Sequence, residues 1–369
     1  MTNQETVSAK QMSALFLCFT TGSSVINIPG PLIGFSKNGA WLALLMSLSM
    51  GMIFLSLILF LYRRFPNKSM IEYSNEMLGK WITIILAIPF ISFLLHIVTG
   101  IVLDIGLFMT NSMMRETPLY VFNLLIFLLA ATSVRLGIEV MARMFVLLIL
   151  AVLAFIFFIL GLASLNYHPE FLMPVMPYGF KPIVLGAYFS YGFPYLEIVV
   201  FAMLLPLVRK ESNNKLHRGM YLSLLFNGFC LMAVTVCSIM LFGPIAGEQR
   251  YIIFQLARTI EILEIFQRIE SLIGISLIVG SYMKATIALY VLNVTIRHLF
   301  KIKDKKLMIF PLSLCCFLLS LLVMNGGEAQ WIHLIAVVAP LWGTFAFVVP
   351  LIVLTIAALF RKKHSSMNN

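Results

Sequence analysis

The feature that most constrains this chain is a series of apolar runs, each close to the length needed to cross a membrane. A helix that spans about 30 Å of hydrocarbon needs roughly 20 mostly apolar residues. The chain offers ten such runs, near residues 11–35, 39–62, 81–110, 118–135, 138–164, 182–208, 217–243, 269–297, 307–325 and 331–360. No connection leaves room for a soluble domain. We therefore expect an all-α integral membrane protein with ten transmembrane helices, folded as a single domain over residues 1–369.

Composition supports this interpretation and excludes the other classes. Hydrophobic residues make up 61% of the chain and charged residues 11%, whereas a soluble domain carries about 25% charged residues. A surface that faces water needs more charge than this. The net charge of +11 could indicate nucleic acid, but the basic residues lie in short clusters between apolar runs. That distribution is typical of membrane topology, so we expect lipid and no nucleic acid as surroundings.

The placement of the basic residues predicts the orientation of the chain in the membrane. With the N-terminus inside, 19 of the 26 Lys and Arg residues fall on the cytoplasmic side and 6 outside, and Lys284 lies within a span. Cytoplasmic connections carry the excess of Lys and Arg in membrane proteins. Both termini are therefore expected in the cytoplasm.

Glycine and proline interrupt the first and the sixth apolar runs. A run without these glycine and proline residues would form a more stable, unbroken helix. The interruptions could be two proline kinks. Their matching positions in ten spans, however, favour two inverted five-helix repeats, about 11–164 and 182–360, with discontinuous helices 1 and 6 around a binding site.

Two segments between spans support the inverted repeat. Residues 65–80 have the pattern of an amphipathic helix that begins near Ser69. Residues 251–268 place charged side chains at helical spacing: Arg258, Glu261, Glu264 and Arg268. The first segment is expected inside and the second outside, at equivalent positions of the two halves.

Ionisable residues inside spans indicate function because their burial in a membrane is costly. Lys284 stands near the middle of the eighth run, too far from either end to reach water. Glu197, in the sixth run, is its candidate partner by depth. The two could form a structural ion pair or take part in ligand-dependent gating.

The third run carries His96, Gly100 and Asp104 at a spacing of four residues, which places them on one face of a helix. This stripe could face a binding cavity. Alternatively, His96 is a satisfied core histidine and Asp104 is a carboxylate of the outer leaflet.

Motifs of known enzymes are missing. The sequence has no Walker loop, HExxH or GxSxG, and its 15 acidic residues are scattered. The five cysteines form no CxxC pair and all lie in apolar runs, so we read them as core residues. We expect no catalysis, no cofactor and no metal site.

Several stretches resemble the spore germination permease family, the B subunits of tripartite nutrient germinant receptors, which belong to the amino acid–polyamine–organocation transporter superfamily. The most specific are a Phe-Pro…Gly-Lys segment and an Arg-x-Gly-x-Glu-x-x-x-Arg segment. In chain order, the matching stretches are Gly22–Pro29, Phe65–Trp81, Arg135–Arg143, Tyr191–Phe193 and Gln267–Glu270.

The resemblance implies a subunit that senses a nutrient germinant, such as an amino acid, a sugar or a nucleoside, in the inner membrane of the spore. It also implies an A-type membrane subunit and a C-type lipoprotein as partners. A secondary transporter of amino acids, coupled to H⁺ or Na⁺, is the alternative.

Helix amino ends at the breaks suit a carboxylate. The expected ligand-binding residues are Thr21, Gly22, Ser23, Ser24, His96, Gly100, Ser190, Tyr191, Gly192 and Phe193.

Lys284 has a more specific expected role. In sodium-coupled relatives of this scaffold, a cation lies between the first and eighth spans. The resemblance therefore implies that the Lys284 ammonium replaces that cation beside the carbonyls freed at the first break. Glu197 and Asp104 complete the group of candidate gating residues.

Overall fold

The structure is a computed structural model and describes residues 6–209, 213–260 and 268–360. Sixteen α-helices are found in these ranges: α1 Ala9–Thr21, α2 Ser24–Asn27, α3 Pro29–Ser36, α4 Ala40–Arg64, α5 Met70–Leu78, α6 Lys80–Phe108, α7 Leu119–Leu136, α8 Ile138–Ala163, α9 Lys181–Ser190, α10 Asn213–Phe242, α11 Ile252–Arg258, α12 Glu270–Phe300, α13 Ile309–Met324, α14 Gly327–His333, α15 Ala339–Gly343 and α16 Val349–Phe360.

The all-α membrane fold expected from the sequence is confirmed. Over the described ranges, eight helical stretches are long and apolar enough to cross a membrane, and α13 is a shorter apolar helix. The helices start and end within a few residues of the predicted runs. The exact number of ten transmembrane helices stays a prediction.

The first predicted span is discontinuous where Gly22 and Ser23 separate α1 from α2. Both residues keep right-handed helical backbone angles, so the interruption is gentler than an unwound segment. Neighbouring polar groups satisfy the freed carbonyl of Thr20, which accepts hydrogen bonds from Ser24 Oγ at 2.5 Å and Asn227 Nδ2 at 2.9 Å. Internal partners of this kind are what a helix break in a membrane requires.

The break in the sixth predicted span is sharper. After α9 the chain makes a π-type turn over Tyr191–Tyr195, in which Phe193 is extended at φ −145° and ψ 117°. The peptide bond between Phe193 and Pro194 is cis. The chain then continues as a tighter 3₁₀ helix, Leu196–Met203, whose first turn contains Glu197. The predicted discontinuity of this helix is confirmed.

The helix predicted near Ser69 is α5. Ser69 accepts a hydrogen bond from the Glu72 backbone N–H, and the Glu72 carboxylate accepts one from the Ser69 backbone N–H at 2.7 Å. This reciprocal capping box explains why the helix begins here. The corresponding segment of the second half contains α11, which ends at Arg258. Glu261 and Glu264 lie outside the described residues.

The centre of the protein is α12, in which every residue from Gly280 to Thr295 is buried. Its approach to the first break is close, since a Cβ atom at Gly22 would lie 2.5 Å from the Gly280 carbonyl oxygen. Only glycine permits such contact between two backbones.

The prediction that the cysteines are core residues is wrong for Cys315, which is exposed on α13, while Cys18, Cys230 and Cys316 are buried.

Candidate functional site

A cavity of about 350 Å³ lies against the second break. Six of the residues singled out in the sequence line it: His96, Gly100, Asp104, Gly192, Phe193 and Glu197. They come from α6 and from the interrupted sixth span, and α3 and α14 supply further walls. The stripe on α6 therefore faces a cavity, which favours the first of its two interpretations.

The first ionic group at the cavity is the ion pair between Lys284 and Glu197, which we call the lysine pair. The Lys284 side chain is 0% exposed and that of Glu197 is 7% exposed. The Lys284 ammonium also lies 3.7 Å from the centre of the Phe193 ring and 5.1 Å from that of Phe19. An aromatic face stabilises a buried ammonium, and both Phe193 and Glu197 line the cavity.

A second ionic group, which we call the arginine cluster, consists of Arg250, Asp104, Glu328 and Trp331, and all of these but Glu328 line the cavity. Arg250 Nη2 donates to Asp104 Oδ1 at 2.9 Å, and its Nη1 donates to Glu328. Trp331 Nε1 donates to the same Asp104 oxygen at 2.9 Å. Burial alone would lower the pKa of Arg250, but Asp104 and Glu328 outweigh it and raise that pKa above its ordinary value. The guanidinium is therefore a permanent charge.

The arginine cluster joins three separate parts of the chain. Asp104 belongs to α6, Arg250 precedes α11, and Glu328 and Trp331 belong to α14. Asn111 extends the contact, since its Nδ2 donates to Glu328 Oε2 at 3.1 Å. Arginine can hold two carboxylates in this way because its planar fork offers several donors.

Aromatic rings also contribute to the cavity wall. The His96 ring lies 5.6 Å from those of Phe93 and Trp331 and 5.1 Å from that of Trp342, measured between ring centres. Gly100 makes room for Trp331, because a Cβ atom there would lie 2.6 Å from the indole Cη2. Packing against Trp331 thus explains why a glycine occupies this position on the polar face of α6.

Four predicted residues of the first break do not reach the cavity. Thr21 accepts a hydrogen bond from Asn227 at 3.2 Å, and Gly22 packs on Gly280. Ser24 bonds back to Thr20, and Ser23 is buried with no hydrogen-bond partner among the described residues. Instead, Asn27 and Pro31 bring the first span to the cavity, one to two turns further on.

Two predicted residues of the second break also lie off the cavity. Ser190 Oγ donates to Ser47 Oγ at 2.8 Å, and Tyr191 shares a hydrogen bond of 2.9 Å with Thr344. Both tie the broken span to neighbouring helices. The Lys284 ammonium pairs with Glu197, and no described carbonyl of the first break is found bonded to it.

Sequence reasoning missed Arg250, Glu328, Trp331 and Phe93. In the sequence, Arg250 is one of the six basic residues expected on the outer side of the membrane. Its position just after the seventh run, three residues beyond the Gly247 that also lines the cavity, was the available signal. Pairing Arg250 with Asp104 requires the fold, because 146 residues separate them.

The fold and the site together define a multi-pass membrane protein with a transporter-like scaffold and a central cavity between two ionic groups. A solved structure of a Na⁺-coupled sialic acid symporter, in a substrate-bound outward-open state, matches with a TM-score of 0.69 at 12% identity. The match covers 98% of this chain and 93% of the symporter chain. This likeness shows the fold.

The family is given by sequence. A family model described as "Spore germination protein" matches residues 6–328, and the chain belongs to that family. Spore germination protein KB of Bacillus subtilis (strain 168) is 26% identical over 87% of this chain and 86% of its own length. Spore germination protein YndE of the same strain is 22% identical over 87% and 88%. Spore germination protein XB of Bacillus anthracis is 21% identical over 86% and 88%.

Proposed function

We propose that this chain is the nutrient-sensing subunit of a spore germination receptor and that the cavity binds the nutrient. The observation that carries the proposal is the position of the cavity at the second helix break, in a chain of the germination family. A break there gives the ligand access to a segment that can change its packing. The ligand is a small nutrient molecule, with an amino acid as the first candidate.

Signalling requires a difference in ligand affinity between two states of the protein. The arginine cluster is suited to supply it, because it links α6, α14 and the segment before α11 around the cavity. A ligand that alters these contacts would change the positions of the three parts relative to one another. An A-type membrane subunit and a C-type lipoprotein would receive the change in the inner membrane of the spore, with both termini of this chain in the cytoplasm.

Deletion tests the sensing role. Spores that lack only this chain should lose germination in response to at least one nutrient and keep it toward others, and the intact gene should restore it. Restoration by a copy carrying Val337→Ala, a change on an exposed side chain outside the cavity, serves as the matched control. An unchanged response to every nutrient would contradict the proposal.

A second candidate function is secondary transport, favoured by the likeness to a symporter fold. Purified protein in sealed proteoliposomes should then accumulate a radiolabelled nutrient when a Na⁺ or H⁺ gradient is imposed. The sensing proposal expects binding of the nutrient without accumulation above that of empty vesicles. Gradient-driven uptake would establish the transporter instead.

A further inference from the structure

The charged residues that line the cavity, among those the structure describes, are two carboxylates, Asp104 and Glu197, and one cation, Arg250, with His96 counted as a neutral imidazole. Lys284 pairs with Glu197 from behind this lining, and Glu328, whose side chain is 36% exposed, pairs with Arg250. Both cations are already committed to carboxylates. Uncompensated charge inside a membrane protein is costly unless a partner of opposite sign is present.

Two of the carboxylates also keep an unused oxygen. Asp104 accepts both of its hydrogen bonds through Oδ1, and Glu197 meets Lys284 through Oε2. Among the described residues, no hydrogen bond reaches Asp104 Oδ2 or Glu197 Oε1. Since both residues line the cavity, it offers a ligand one acceptor in each ionic group.

The aromatic part of the cavity wall is suited to positive charge as well. Phe93, Phe193 and Trp331 line the cavity, and the negative faces of aromatic rings attract cations. Phe193 already contacts one ammonium, that of Lys284, at 3.7 Å from its ring centre. Its position shows that an ammonium is compatible with this part of the site.

A ligand carboxylate would meet the opposite situation. Arg250 is the cation that lines the cavity, and its two terminal nitrogens are bonded to Asp104 and Glu328. An anionic group that approaches the remaining N–H groups of Arg250 meets the negative charges of both carboxylates. Like charges at close range repel, so an anion is disfavoured there.

We propose that the cavity selects an organic monocation, whose ammonium group takes the unused oxygen of Asp104 or Glu197. The ligand carries one net positive charge and an apolar body that packs on the aromatic wall. This inference rests on the proposed function, since it assigns the charge class of the ligand bound in the same cavity. A neutral zwitterionic amino acid binds more weakly than a cation of the same shape.

Three probes with the same ring and different charges test the proposal by calorimetry on the purified chain in nanodiscs at pH 7. They are cyclohexylmethylammonium, the zwitterion cyclohexylglycine and the anion cyclohexanecarboxylate. We expect the cation to bind about tenfold or more tightly than the zwitterion, and the anion to bind weakest. Equal affinities, tighter binding of the zwitterion or the anion, or no binding of the cation would overturn the charge assignment.

Variants of the two acidic residues locate the selectivity. Asp104→Asn should remove most of the preference for the cation. Glu328→Gln should reduce it while leaving the hydrogen bonds of Asp104 to Arg250 and Trp331 in place, so it decides the question if Asp104→Asn does not fold. Glu170→Gln is the matched control, because this exposed residue lies outside the cavity, in a 3₁₀ turn after α8. A cation preference that survives both Asp104→Asn and Glu328→Gln would also overturn the proposal.

The outcome is separable from that of the proposed function. Loss of nutrient response on deletion of the chain depends on the sensing role alone, whatever the charge of the nutrient. If deletion abolishes a response while the cationic probe fails to bind, the sensing role stands and the charge assignment is wrong. If the cation binds but deletion changes no response, the charge assignment stands and the sensing role is wrong.

Discussion

Removal of one partner of the lysine pair should destabilise the protein strongly. Lys284 is 0% exposed and Glu197 7% exposed, so Lys284→Met leaves a desolvated carboxylate without its cation. Breaking a buried pair in this way costs about 3–5 kcal/mol. Glu197→Gln leaves the ammonium unpaired and should cost a similar amount. The double variant leaves neither charge and should be more stable than either single variant.

The assay is unfolding of the purified chain in mixed micelles with increasing dodecyl sulfate, followed by circular dichroism. The exposed pair Lys68–Glu76 provides the control, with side chains 47% and 39% exposed. Lys68→Met should change the free energy of unfolding by no more than about 1 kcal/mol. The reasoning is refuted if Lys284→Met costs no more than this control, or if the losses of the two single variants add in the double variant.

Three further predictions concern packing, orientation and ions. Gly22→Ala should lower the free energy of unfolding by about 1–3 kcal/mol, because its Cβ would meet a backbone oxygen at 2.5 Å. Gly161→Ala, with open space around the Cβ, should leave the stability unchanged or raise it. Thermal denaturation of the two variants compares these effects. A cysteine at Lys37 should react with an impermeant maleimide added outside cells and one at Lys303 should not; reaction at Lys303 would contradict the topology. Nutrient affinity should not depend on Na⁺ at constant ionic strength, because the Lys284 ammonium is a fixed cation; a clear Na⁺ requirement would contradict that role.

The membrane fold was predictable because the bilayer imposes a length on every span. Runs such as 138–164 and 269–297 correspond to single helices, α8 and α12. The breaks were predictable as well, since glycine and proline interrupt the first and sixth runs at matching positions and weaken a continuous helix there. The hydrogen bond that Asn227 donates to the Thr20 carbonyl at the first break was not predictable, because Asn227 belongs to another helix.

The site was predictable only where chemistry and periodicity coincide. His96, Gly100 and Asp104 share a helix face, so their common exposure to the cavity follows from spacing. Lys284 and Glu197 were paired by depth alone, and the structure joins them. The arginine cluster could not be found in this way, because its members come from three elements whose proximity is a property of the tertiary fold.

Filling the cavity tests the central claim most directly. Ala336 lines the cavity, and its neighbour Val337 has a side chain that is 48% exposed. Spores carrying Ala336→Phe should lose the response to the nutrient that requires this chain, with the protein present at its normal level, while Val337→Phe should respond as the parent does. An unchanged response in Ala336→Phe spores would contradict the claim that the nutrient binds in this cavity.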